Sequence, residues 1–118
     1  MHAQLATVVI NAEDIEPLIA FWREFLGVEE ASRFPGFVWL KPQQKSGVGL
    51  AFQQVVEPKE TRRNRLHLDF GVDDLAAVTA RVVELGGSKV EDHTIGDFTW
   101  HVMQDPGGNE FCLAPHPS

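Results

Sequence analysis

The sequence predicts an α+β fold made of two β-α-β-β-β modules in tandem. Two amphipathic helical stretches point to it, each preceded by one apolar strand and followed by three more. An internal repeat agrees: a shift of 60 places Asp14 on Asp74, Ile15 on Leu75, Leu18 on Val78 and Gly27 on Gly87. A small sheet with one helix leaves its other face uncovered, so two copies packed together make a sensible domain. The expected boundaries are module one at 5–56, a linker at 57–65 and module two at 66–114, within one domain spanning 1–118.

Each element has a local cause. Residues 5–10 are apolar, β-branched and short, which predicts a buried strand. Asp14 stands at a helix N-cap position, with Glu16 and Pro17 in the tolerant first turn. Ile15, Leu18, Ile19, Trp22, Phe25 and Leu26 follow at the three-four spacing of one helical face, and Gly27 suits the left-handed residue that ends it. A short strand is expected within 28–34, a turn at Pro35-Gly36, and strands at 37–40 and 48–55. In the last of these, Leu50 and Phe52 point opposite to Ala51 and Gln53.

The pattern then begins again. Residues 66–70 alternate apolar and polar, Asp73-Asp74 can cap a helix with Leu75, Val78, Val82 and Leu85 on its apolar face, and Gly86-Gly87 ends it. Strands are expected at 89–93, 98–104 and 110–114. The last two are joined by Asp105-Pro106-Gly107-Gly108-Asn109, a run dense in turn formers. No helix follows those glycines, so they are not a phosphate loop.

Composition narrows the function. An apolar share of 43%, with eight Phe and three Trp, supplies a core. A net charge of −7 repels phosphate backbones and argues against nucleic acid. The single Cys112 forms no disulfide within the chain, no basic-then-apolar leader is visible, and no apolar run approaches the roughly 18 residues that span a bilayer. The expectation is a cytoplasmic protein with no membrane partner.

Three stretches together resemble the vicinal oxygen chelate superfamily, the glyoxalase, bleomycin-resistance and dioxygenase proteins. They are Ala12-Glu13-Asp14 through Phe21-Trp22 to Leu26-Gly27, then Arg65-Leu66-His67-Leu68-Asp69-Phe70 with Val72-Asp73-Asp74-Leu75, and finally Asp105-Pro106-Gly107-Gly108-Asn109-Glu110-Phe111. The "H-L-D" strand and "G-N-E-F-C-L" ending are most similar to the glyoxalase-like domain branch. The resemblance implies a cupped, mostly antiparallel sheet with helices on its outer face. It also implies a divalent metal (Fe, Mn, Ni or Zn) on the cup floor, no organic cofactor, and a homodimer.

By the same resemblance His67 and Glu110 take metal-ligand positions, and Glu110 is the candidate catalytic group. Imidazole plus carboxylate is a sound half-site for such ions. Module one departs from the pattern: Thr7 stands where a His, Gln or Glu is expected, and of its last strand only Gln53 can coordinate. His101 matches no family ligand position. Trp39, Phe52 and Trp100 are candidate binding residues around an aromatic or acyl ligand, each also a candidate for the core. Cys112 alternates with Glu110, so both project to one face. Arg62-Arg63-Asn64-Arg65 is either an anion grip or a solvated linker. Two functions are therefore expected to compete. One is a glyoxalase-type lyase or isomerase acting on a small oxygenated molecule with a divalent metal. The other is a metal-free protein of the bleomycin-resistance type that sequesters an aromatic or cationic ligand.

Overall fold

The computed structural model describes residues 2–56, 65–106 and 108–115. The expected linker, with Arg62 and Arg63, therefore lies outside the described residues except for Arg65. The elements run β1 (Gln4–Ala12), α1 (Glu16–Leu26), β2 (Glu30–Phe34), β3 (Phe37–Leu40), β4 (Gly49–Gln54), β5 (Leu66–Val72), α2 (Leu75–Glu84), β6 (Ser88–Ile95), β7 (Phe98–Gln104) and β8 (Glu110–Pro115). This is the expected α+β order, β-α-β-β-β twice. Two compact units divide the chain, Thr7–His67 and Leu68–Ser118 with Met1–Ala6, so the division passes through β1 and β5. Among the described residues no helix is long and apolar enough to cross a membrane.

In module one, β1 pairs with β4 in parallel, β4 with β3 antiparallel and β3 with β2 antiparallel. Module two repeats this, with β5 parallel to β8, then β8 to β7 and β7 to β6 antiparallel. Two of every three pairings are thus antiparallel, and one parallel pairing per module makes the sheet mixed. Both outer strands, β2 and β6, carry a register irregularity.

One core per module lies between helix and sheet. Ile15 and Ile19 of α1 pack on Val38, Leu40 and Phe52, with Ile10, Leu18, Trp22 and Leu50 around them. Val78 of α2 packs on Val72, Met103 and Leu113, with Phe70, Leu75, Val82 and Phe111. The even positions of β1, β4 and β5 and the odd positions of β8 thus face the helices.

Four local expectations change. Ile15, not Asp14, is the N-cap of α1 and makes no side-chain cap bond; Asp14 Oδ1 instead accepts from the Glu16 amide at 3.3 Å. Phe25 is off the core face, 71% exposed, and stacks on Phe21, which is also exposed, at 5.8 Å. In module two Asp74 is the cap as expected, accepting from the Ala77 amide at 3.0 Å. At the helix ends, Gly27 has φ 71°, but its conformational counterpart is Gly86 at 103° rather than Gly87. Gly87 is required for another reason: a Cβ there would lie 2.6 Å from the Gln104 carbonyl oxygen.

Finally, Phe52 is fully buried in the core under α1, which removes it from the candidate binding set. Phe52→Ala should cost about 3–5 kcal/mol, whereas Phe25→Ala, measured at concentrations where the chain is monomeric, should stay within about 0.5 kcal/mol because its ring is exposed in the single chain. Urea unfolding of both variants checks the contrast; equal shifts in midpoint would show that the core is misassigned.

Candidate functional site

The parallel register of β5 and β8 builds the site. Leu68 pairs with Phe111, Asp69 with Cys112, and Phe70 with Leu113. In a parallel pair the partners in register project to the same side, and neighbours alternate. Phe70, Val72, Phe111 and Leu113 go to α2, so His67, Asp69, Glu110 and Cys112 project from the opposite, helix-free face. His67 precedes Asp69 by two residues on β5, so the strand itself sets their relation.

Rows across the sheet follow from the pairings. Glu91 of β6 pairs with Val102, Val102 with Cys112, and Cys112 with Asp69. A second row holds Gln104 opposite Glu110. A third holds His93 opposite Trp100, with the two rings stacked at 5.1 Å and 17°. His93 Nε2 also lies 3.2 Å from Glu91 Oε1.

The donor atoms of His67, Asp69 and Cys112 all lie within 4.8 Å of one another, and all three side chains are half-buried. Burial lowers the imidazole of His67 below its ordinary value, which keeps it neutral, the form that coordinates metal. Burial also pushes the Asp69 carboxyl up to about 7, partly countered by the Cys112 thiol that donates to it. Cys112 is pushed up to about 12, first by burial and then by the charges of Asp69, Glu110 and Glu91 and its bond to Asp69. Several acidic groups thus crowd one half-buried face. Neutral imidazole, one carboxylate and one sulfur suit a divalent ion of borderline softness, and a cation would offset the burial that holds Asp69 and Cys112 protonated and the acidic charges that add to it at Cys112. The residues present fit a metal.

Other candidates fall elsewhere. Glu110 shares the face of this cluster, at the first position of β8. Trp100 shares it too, at the stack with His93. Gln53 and Trp39 lie on the helix-free face of module one: Gln53 pairs with Asn11 and Phe37, and Trp39 packs on the Phe37 ring at 4.3 Å. Thr7 pairs with Gly49 and brings no strong ligand to that face. His101 faces α2, its Nδ1 2.8 Å from the Thr79 hydroxyl, and takes no part. An open hollow of about 360 Å³ in module one is lined by Asp14, Ile15, Arg33, Phe34 and Gln54 among others. Its one cation, Arg33, is held at 2.7 Å by both Glu16 and Glu30, so its charge is already matched. Asp69 is the residue the sequence reading passed over, although the alternation that marks residues 66–70 as a strand places it with His67.

The family model described as Glyoxalase-like domain matches residues 7–114. The chain belongs to the glyoxalase-like domain family. No curated protein shows significant sequence similarity to this glyoxalase-like domain. Solved structures share its fold. A hypothetical protein from Bacillus halodurans C-125 is 12% identical with a TM-score of 0.75, covering 100% of this chain and 97% of its own. A glyoxalase/bleomycin resistance protein/dioxygenase superfamily member from Vibrio splendidus is 20% identical with a TM-score of 0.65, covering 98% and 100%. Streptomyces coelicolor methylmalonyl-CoA epimerase, solved in complex with 2-nitronate-propionyl-CoA, is 16% identical with a TM-score of 0.73 and full coverage of both chains.

Asp69 gives the glyoxalase-like domain a pH signature. An unfolded Asp titrates near 3.9, and the folded group titrates at about 7. Between these values the folded state binds the extra proton, so the contribution of Asp69 to stability is fully present below about 4 and is lost as pH rises through about 7. Asp69→Asn removes the charge. In metal-free protein the variant should melt at least roughly 5 °C above the parent at pH 8 and close to it at pH 4. A gap that does not widen with pH would exclude this assignment.

Proposed function

We propose that this domain binds a small oxygenated molecule on the helix-free face of module two and moves a proton on it, with a divalent ion as Lewis acid. The observation that carries the reading is the convergence of His67, Asp69 and Cys112, with Glu110 on the same face. His67 and Asp69 would hold the ion. When bound, it would supply Lewis acidity to a substrate oxygen. Glu110 accepts or returns the proton at its carboxylate oxygen, and Trp100 with His93 offers a flat apolar wall. Trp39 and Gln53 are proposed as ligand contacts on their own module. The acyl ligand of the Streptomyces epimerase, an oxygenated compound, supports the substrate class.

Protein purified without a histidine tag should carry one divalent ion per chain, and His67→Ala and Asp69→Ala should each weaken binding by at least roughly 100-fold. Unchanged metal content in both variants would sink the reading. A second reading, sequestration of a planar ligand without metal, is favoured by the His93–Trp100 stack and the adjoining Phe98 ring at 5.8 Å. Under it, metal-free wild type and His67→Ala would bind an aromatic probe such as anilinonaphthalene sulfonate equally well, and Trp100→Ala would not.

We also propose a homodimer, supported by the outward Phe21 and Phe25 pair on α1. Sedimentation should give a species of twice 13.2 kDa. A single species at the monomer mass over a wide concentration range would remove the dimer.

A further inference from the structure

We propose that Cys112 completes the metal site as a thiolate ligand, which makes it a site for thiophilic borderline cations, Zn²⁺ and Co²⁺, rather than Mg²⁺ or Mn²⁺. This deepens the metal part of the preceding reading and rests on it. The family resemblance implies ligands at His67, Glu110 and the matching strands of module one. The structure instead gathers three donors of different chemistry on two adjacent strands of module two.

The geometry argues for a small, low-coordinate ion. Metal–nitrogen and metal–oxygen bonds of about 2.0–2.1 Å and a metal–sulfur bond of about 2.3 Å place tetrahedral neighbours roughly 3.3–3.7 Å apart. The three donor atoms already lie within 4.8 Å of one another, so side-chain rotations of about 1 Å close the set. The backbone needs no change, because Asp69 and Cys112 are register partners and His67 stands next to Asp69 on the same face.

The donor set argues for the class of ion. Mg²⁺ demands near-octahedral oxygen coordination, and this cluster offers one carboxylate among three groups. Sulfur and imidazole together favour Zn²⁺ and Co²⁺. Three protein ligands would leave room on a bound ion for water or a substrate oxygen, as catalytic rather than structural zinc sites do. On binding, the sulfur–metal bond would form as the S–H bond breaks, with the proton passing to solvent. Nothing is oxidised. A further proton leaves Asp69 wherever it is protonated.

The test is to strip wild-type protein of metal and titrate it with Co²⁺ alone, following the near-ultraviolet and visible spectrum. A thiolate-to-cobalt charge-transfer band should grow to one equivalent, be abolished by Zn²⁺, and be missing in Cys112→Ser, whose Co²⁺ affinity should fall at least roughly tenfold. In the wild type, Zn²⁺ but not Mg²⁺ should protect Cys112 from a thiol reagent, a readout that needs no variant to fold. Visible cobalt bands that need His67 but lack the charge-transfer band would overturn the thiolate ligand and leave the proposed function standing. So would full retention of affinity in Cys112→Ser. Failure of the wild type to bind either ion would overturn both.

Discussion

Side-chain direction in a strand has a period of two, so a parallel pair in register behaves as a single two-sided object. In β5 and β8 one side is committed to α2 by Phe70, Val72, Phe111 and Leu113, with Val72 and Leu113 almost wholly buried. Moving those groups to water would forfeit about 1.5–3 kcal/mol for each large side chain. A slip of either strand by one residue would exact that loss and would also drive a carboxylate into the α2 core. The register is therefore fixed by what the α2 side can bury. What appears on the other side is its obligatory complement: His67, Asp69, Glu110 and Cys112 have nowhere else to go.

That complement is unfavourable as it stands. Burial keeps Asp69 partly protonated near neutrality, and the thiol beside it is held protonated first by burial and then by the charges of Asp69, Glu110 and Glu91. A face whose only task was to be covered would be better filled with apolar side chains. Module one gives the comparison within the same chain. Its parallel pair has the same geometry, Thr7 with Gly49, Val9 with Ala51 and Asn11 with Gln53, yet that face carries no ionisable group at these positions. The repeat has duplicated the frame and not the chemistry. Acidic crowding in one copy alone, at the cost of stability, is what a functional position looks like when local rules are broken on one face and kept on the other.

Much of this was legible beforehand. Both helices, their order among the strands and the alternation of Leu50 and Phe52 against Ala51 and Gln53 follow from spacing, because spacing decides which side chains a packed face can bury. Phe25 was misread because helical periodicity marks a stripe wider than the surface available to cover it; Trp22 fills the space and Phe25 is left outside. Asp14 was misread because an Asx-type bond to a nearby amide competes with true capping, and the helix starts one residue late. At the site, His67 and Glu110 were visible from motif and Cys112 from its parity with Glu110. Asp69 had the same parity signal from His67, but a carboxylate on a strand reads as solvated until its neighbours are known, and pairing between distant strands is not written in either one.

Parity also limits which residues can ever share a site. Phe52 and Gln53 are adjacent on one strand, so no single ligand on either face of that sheet reaches both. The same rule explains why the modules stay equivalent although their spacing drifts. Thr7 matches His67 at a shift of 60, Gly27 matches Gly86 at 59, and Trp39 matches Trp100 at 61. The helix end absorbs the change from 60 to 59, and the change of two that follows goes with a β6 of eight residues against five in β2, which keeps the faces in step. Within the sheet, each Trp still stands two residues after a Phe that starts its strand, on the helix-free side. Insertions are tolerated where backbone can bend and are refused where they would turn a face over, so faces persist while numbering wanders.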